Sequence, residues 1–172
     1  MILGLDPGLA ATGYAVVARR GGRLTAVVHG TIRTPARAPH PERLALLYDG
    51  VVALAGDHLL RGAALEAWFV HPVSRSAMAV AEARGAILVA LARSGVAVRE
   101  YSPTEVKQAV TGHGRADKGQ VRAMVARLAG VEPGSDHAAD ALAAAICHLH
   151  TGPLARAIGR ASASGTADTL GS

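Results

Sequence analysis

Asp6, Glu66, His137 and Asp140 carry side chains that ligate hard divalent cations, and each stands where the local pattern should end a strand or begin a helix. Asp6 closes the apolar run Met1-Ile2-Leu3-Gly4-Leu5 and opens the turn Pro7-Gly8. Glu66 closes a second short apolar run, Ala63-Ala64-Leu65. His137 and Asp140 are three apart in the first turn of an expected helix, so they share a face. Three carboxylates and an imidazole meeting at one sheet edge would hold Mg²⁺ or Mn²⁺, a known route to phosphodiester hydrolysis. Asp136 and Asp140, four apart, also share a face, so spacing leaves either Asp136 or His137 as a ligand. A helix N-terminus disfavours protonated imidazole, which suits ligation by a neutral His137. Each residue also has a plainer reading. Asp before Pro-Gly initiates turns, Glu66 is a solvated strand end, and His137 is a helix-surface histidine.

The elements that must position these side chains follow from hydrophobic periodicity. Residues 2–6 read as a buried strand, 12–18 as a second and 24–32 as a third. The turns Pro7-Gly8 and Gly21-Gly22 favour an antiparallel meander. The proline-rich stretch 33–41 is a loop, and apolar residues at 44, 47, 51 and 54 mark an amphipathic helix over 42–60. A strand at 62–67, an Ala-rich helix over 74–93 and a strand at 96–101 follow. Ser102-Pro103 begins a helix that Gly112-His113-Gly114 breaks. Asp117, with Gln120 three residues on, caps a helix ending at Gly130, and Ser135 caps the last helix, to about residue 150. This order predicts an α/β fold, a five-stranded mixed sheet flanked by helices. Asp6 and Glu66 become neighbours if the first and fourth strands pair in parallel. Gly8 and Gly13 leave room beside Asp6 for a large ligand. The helix over 74–93 is apolar nearly all round, as a central core element or a subunit interface would be. Residues 1–151 form one domain. The Gly-, Ala-, Ser- and Thr-rich stretch 152–172 reads as a disordered tail.

A chain of 172 residues with 50% hydrophobic content can bury a core of its own. A formal charge of +5 and a sequence pI of about 10.1 suit a polyanionic partner. Among 18 basic residues only Lys107 and Lys118 are lysines, and both fall in one segment, which suggests places where a compact ammonium is wanted. Cys147 is the single cysteine, so internal disulfides and cysteine-based zinc sites are excluded and the thiol is expected to pack as a small hydrophobe. No apolar run is long enough for a membrane span. With no signal peptide apparent, a reducing, cytoplasmic setting is expected. The one Trp and the one Phe, Trp68 and Phe69, both follow Glu66 in an expected loop, where an aromatic can wedge or stack on bases. His148 and His150 read as near-terminal surface or packing residues.

Together these motifs resemble the RuvC family, bacterial Holliday junction resolvases of the RNase H-like or retroviral-integrase superfamily. The likeness rests on Leu3-Gly4-Leu5-Asp6-Pro7-Gly8 with Thr12-Gly13-Tyr14, then Leu65-Glu66 with Phe69. It continues through Lys107-Gln108, Gly112-His113-Gly114, Lys118 and His137-Ala138-Ala139-Asp140-Ala141-Leu142. It covers roughly residues 1–150. The resemblance implies an RNase H-like fold and a homodimer joined through the Ala-rich helix. It implies two Mg²⁺ or Mn²⁺ ions per subunit on Asp6, Glu66, His137 and Asp140, and four-way junction DNA as substrate. It further implies that Lys107 and Lys118 contact DNA phosphates, that Phe69 stacks on a junction base, and that RuvA and RuvB are partners. Many members of the family carry Asp where this chain has His137, which bears on the preferred metal and pH optimum.

Three other readings compete. A nuclease of the same superfamily acting on structured RNA shares the residues. A non-catalytic junction-binding protein would not require four ligand-type side chains in register. The sugar-kinase and actin-like ATPase fold also opens with a strand, Asp and Gly, but it needs two lobes and a second phosphate loop.

Overall fold

The computed structural model describes residues 1–67 and 74–152. Phe69 and Trp68 lie outside the described residues, as does the tail from residue 153. The strands are β1 (Ile2–Asp6), β2 (Ala11–Arg20), β3 (Arg23–Arg33), β4 (Gly62–Glu66) and β5 (Val98–Tyr101). The helices are α1 (His40–Asp57), α2 (Arg75–Arg93), α3 (Pro103–Thr111), α4 (Lys118–Ala129) and α5 (Asp136–Thr151). No helix among the described residues is long and apolar enough to cross a membrane.

The five strands form one sheet in the order β3-β2-β1-β4-β5. β1, β2 and β3 make the expected antiparallel meander. β1 and β4 are parallel with Leu3 opposite Ala63 and Leu5 opposite Leu65, and β5 extends the parallel half. The C-terminal ends of β1 and β4 therefore coincide, bringing Asp6 and Glu66 to one edge. Alternation along the strands splits the core in two. Leu3, Leu5, Val16, Ala63 and Leu65 face Val51 of α1 and Ile87, Ala90 and Leu91 of α2. Ile2, Ala15, Val17 and Ala64 face α3, α4 and α5.

The central helix is α5. Ala138, Ala139 and every residue from Ala141 to Cys147 are buried. It crosses the sheet so closely that a Cβ on Gly4 would collide with the Ala141 carbonyl oxygen, and one on Gly13 with the carbonyl of His137. Two expectations change here. Gly13 makes room for the backbone of α5, not for a ligand, and Gly8 is tight against the Ala11 carbonyl. α2 is not the central element either. It buries Ala83, Ile87, Ala90 and Leu91 on one side, while Met78 and Val89 stay 54% and 53% exposed.

Candidate active site

Each of the four acid and imidazole side chains is set by a local device. Asp6 leads into a turn clamped by Thr12, which is fully buried. The Thr12 hydroxyl donates to the Gly8 carbonyl at 2.8 Å and accepts from the Gly8 amide at 3.2 Å. The first turn of α5 is fixed by Ser135, whose Oγ accepts from the Ala138 amide at 3.1 Å and lies 2.9 Å from Thr31 Oγ1 on β3. That cap aims His137 and Asp140 at the end of β1. Glu66 is the last residue of β4, and the Ala67 amide after it donates to the Tyr101 carbonyl at 2.7 Å.

His137 Nδ1 donates to Asp6 Oδ2 at 2.6 Å. In the Nδ1–H tautomer of a neutral imidazole, the lone pair is on Nε2. Asp140 and Glu66 both titrate above the usual carboxylate range. For Glu66 the main cause is burial, followed by the charges of Asp140 and Asp6, with Lys107 opposing them. For Asp140 it is again burial first, then Asp6, with Lys118 opposing. The three carboxylates thus feel one another through partly dry protein.

Asp136 takes a different part. It accepts from Lys118 Nζ at 3.0 Å and from Arg122 Nη1 at 3.1 Å, and the lysine holds its carboxyl below the ordinary range. Lys118 Nζ also lies 3.8 Å from Asp140 Oδ2. Of the two residues that spacing left open, His137 faces Asp6, while Asp136 faces Lys118 and Arg122. The second lysine, Lys107 on α3, lines the same hollow as Lys118, Glu66 and Asp140, a space of about 320 Å³ walled by Pro103, Val106, Val121 and Ala143. All six described site residues expected from sequence therefore gather at one edge of the sheet. Ser135 is the cap expected from sequence, whereas Thr12 is a functional support that motif reading passed over. Thr12 could have been found from its place four residues after Gly8, where a hydroxyl closes a turn.

The donor set suits a hard divalent cation: three carboxylates and one imidazole, with Glu66 and Asp140 raised by burial first and by neighbouring carboxylate charge second, a repulsion that a cation would relieve. Among the described residues no three such side chains are already closed around a single point. Uncompensated carboxylates repel, and His137 is turned onto Asp6, so a cation would complete the arrangement.

The family model described as "Crossover junction endodeoxyribonuclease RuvC" matches residues 2–148. The chain belongs to the RuvC family. RuvC from Desulfitobacterium hafniense is 44% identical over 163 residues, covering 94% of this chain and 99% of that one. RuvC from Parvibaculum lavamentivorans is 47% identical over 151 residues, covering 87% and 86%. The structure of Thermus thermophilus RuvC in complex with a Holliday junction substrate superposes with a TM-score of 0.84 at 33% identity, covering 90% of this chain and 95% of that one. The mixed sheet and its helices are the RNase H-like fold of this family, and the family's nucleases depend on metal.

Proposed function

We infer that the protein is a structure-selective endonuclease that resolves four-way DNA junctions by nicking two strands of like polarity. One observation carries the chemistry. Asp6, Glu66, His137 and Asp140 stand together at the ends of β1, β4 and α5, beside a hollow edged by Lys107 and Lys118. Asp6, Glu66, His137 and Asp140 would hold two Mg²⁺ or Mn²⁺ ions per subunit. Bound there, the ions would supply an activated water and stabilise the leaving 3′ oxygen. The protein's own groups do the rest. Lys107 and Lys118 attract the phosphates on either side of the scissile bond, and the apolar wall of Val106, Val121 and Ala143 limits water around it. Lys118 exchanges Asp136 for a phosphate as the strand enters, since the pair is exposed and weak. Phe69, carried over from the family motif, stacks on a base at the branch point. Products with 5′-phosphate and 3′-hydroxyl ends could then be ligated.

The acting unit is a homodimer, whose two-fold axis matches the roughly two-fold junction and explains paired cuts. Support comes from α2, whose outer face shows Met78, Ala81, Gly85, Val89 and Ala92, a helical stripe of apolar and small residues exposed in the single chain. RuvA and RuvB are the expected branch-migration partners, in the cytoplasm. Residues 1–151 constitute the nuclease domain.

The decisive experiment incubates the protein with synthetic four-way junctions, linear duplexes and structured RNA, with Mn²⁺, Mg²⁺ or chelator. Paired nicks in the junction alone, abolished by chelator, are expected. Asp6→Asn should keep junction binding and lose cleavage by orders of magnitude. Faster cleavage of the RNA would favour the RNA-processing reading, and junction binding without any cleavage the non-catalytic one.

A further inference from the structure

Arg84 links α2 to the strand end that carries Glu66. Its Nη1 donates to the Glu66 main-chain carbonyl at 3.0 Å, and its Nη2 forms an ion pair with Glu100 Oε1 on β5. Beyond that ion pair, buried Nη2 makes no hydrogen bond among the described residues. The side chain is only 11% exposed. A guanidinium removed from water this far is costly unless its partners are fixed. Its planar fork spans two acceptors in different directions, which one ammonium cannot do.

The carbonyl it holds is one the sheet cannot satisfy. Extending the parallel register that pairs Leu5 with Leu65, the donor facing the Glu66 oxygen would come from position 7. That residue is Pro7, which has no N–H. On the far side of the same peptide, the Ala67 amide is tied to the Tyr101 carbonyl. The Glu66–Ala67 peptide is therefore held by β5 at its nitrogen and by Arg84 at its oxygen. Rotation of that peptide would swing the Glu66 carboxylate away from Asp6 and Asp140.

We propose that Arg84 is a positioning residue that fixes Glu66 for metal binding and ties the catalytic edge to α2. The inference rests on the metal-dependent nuclease reading above. It adds that the outer helix and the site are mechanically joined: Arg84 precedes Gly85, a member of the exposed α2 stripe. Packing on that stripe then steadies the backbone from which Arg84 reaches Glu66.

The test uses the full chain as wild type, Arg84→Met, Arg84→Lys and Glu100→Gln. Mn²⁺ affinity is measured by calorimetry without DNA, and junction affinity by anisotropy in chelator. Single-turnover cleavage is followed against Mn²⁺ concentration. Arg84→Met should weaken Mn²⁺ binding by about 10- to 100-fold, the usual cost of removing a group that orients a ligand. Junction affinity should stay near wild type, and excess Mn²⁺ should restore cleavage. Arg84→Lys should keep the charge opposite Glu100 and the melting temperature, yet still bind Mn²⁺ weakly. Glu100→Gln, which leaves the carbonyl contact in place, should give a smaller shift in the same direction and serves if Arg84→Met does not fold. Wild-type Mn²⁺ affinity in Arg84→Lys and Glu100→Gln overturns the proposal, as does a loss of junction affinity equal to the loss of cleavage. Wild-type cleavage that persists in chelator would instead overturn the metal dependence on which the inference rests.

Discussion

His137 Nδ1 and Asp6 Oδ2, 131 residues apart in the chain, are 2.6 Å apart in the fold. The contact joins the first turn of α5 to the end of β1 and leaves Asp136, one residue earlier, paired with Lys118 and Arg122. One helical step separates the side chain that meets Asp6 from the one that meets Lys118.

That step separates two substitutions. Asp136→Asn should leave single-turnover junction cleavage within a few-fold of wild type, because it breaks only exposed ion pairs. His137→Ala should reduce cleavage by orders of magnitude. His137→Asp should retain activity while narrowing the preference for Mn²⁺ over Mg²⁺, since imidazole is the softer ligand. If Asp136→Asn is as damaging as His137→Ala, or if His137→Asp leaves the metal ratio untouched, the assignment of His137 fails.

Glu66 and Asp140 make stability depend on pH and on divalent cations together. Both carboxyls are raised, by burial first and by neighbouring carboxylates second. They bind protons more tightly folded than unfolded. Their contribution thus favours the fold fully below the ordinary carboxylate range and is lost as pH climbs through the raised values. At neutral pH without divalent metal the two acids strain the protein. A cation binds the ionised form, so Mn²⁺ should raise the melting temperature at neutral pH, by about 2.7 kcal/mol of stabilisation at roughly 100 Kd. The gain should shrink as pH falls and these acids take up protons, and the acid limb of cleavage should lie above that of ordinary carboxylates. Glu66→Gln should melt no lower than wild type in chelator and lose most of the Mn²⁺ effect. Thermal melts over a pH series, with and without Mn²⁺, check all of this. A melting temperature indifferent to Mn²⁺ at neutral pH would count against the site.

Much of this site was legible in the sequence because its parts sit at punctuated element ends. Asp6 and Glu66 close apolar runs, and Asp117 and Ser135 are cap residues whose side chains accept the amides of Gln120 and Ala138. The scarcity of lysine pointed to Lys107 and Lys118, which line one hollow. The rest depends on contacts between elements, which leave no periodic trace. Both α2 and α5 are rich in Ala, and composition cannot tell which is enclosed. Only the packing of α5 over Gly4 and Gly13 shows it. Likewise Arg84 reads as one more arginine among many until its bond to the Glu66 carbonyl is seen.

Gly13→Ala tests the packing that sets His137. An added Cβ would meet the His137 carbonyl, which belongs to helix backbone and cannot turn aside like a flexible side chain. α5 must shift at its first turn. A destabilisation of about 1–3 kcal/mol is expected from overpacking, measured by denaturant titration, with a disproportionate loss of cleavage because the shift falls where His137 and Asp140 start the helix. Gly4→Ala strikes the middle of α5, against Ala141 and Ala145, and should cost more stability. Wild-type activity in Gly13→Ala would mean that the first turn of α5 tolerates displacement and does not set the site's geometry.

Gly85→Ala separates a helix that merely faces water from one that faces a second copy. A Cβ at Gly85 meets nothing within 4 Å among the described residues. Glycine inside a helix costs roughly 0.5–1 kcal/mol relative to alanine, so the substitution should stabilise an isolated subunit by about that much. Nothing among the described residues calls for glycine there. A partner helix crossing at the Met78, Gly85 and Val89 stripe would, because a small residue lets two backbones approach. Gly85→Ala is therefore expected to raise the melting temperature of dilute, monomeric protein while weakening dimerisation in sedimentation equilibrium. Junctions should then be cut on one strand more often than on two, as the second nick comes to depend on a separate encounter. A more stable subunit with an unchanged dimer constant would place the contact elsewhere than at Gly85. A less stable subunit would mean that the α2 surface is already filled from within the chain.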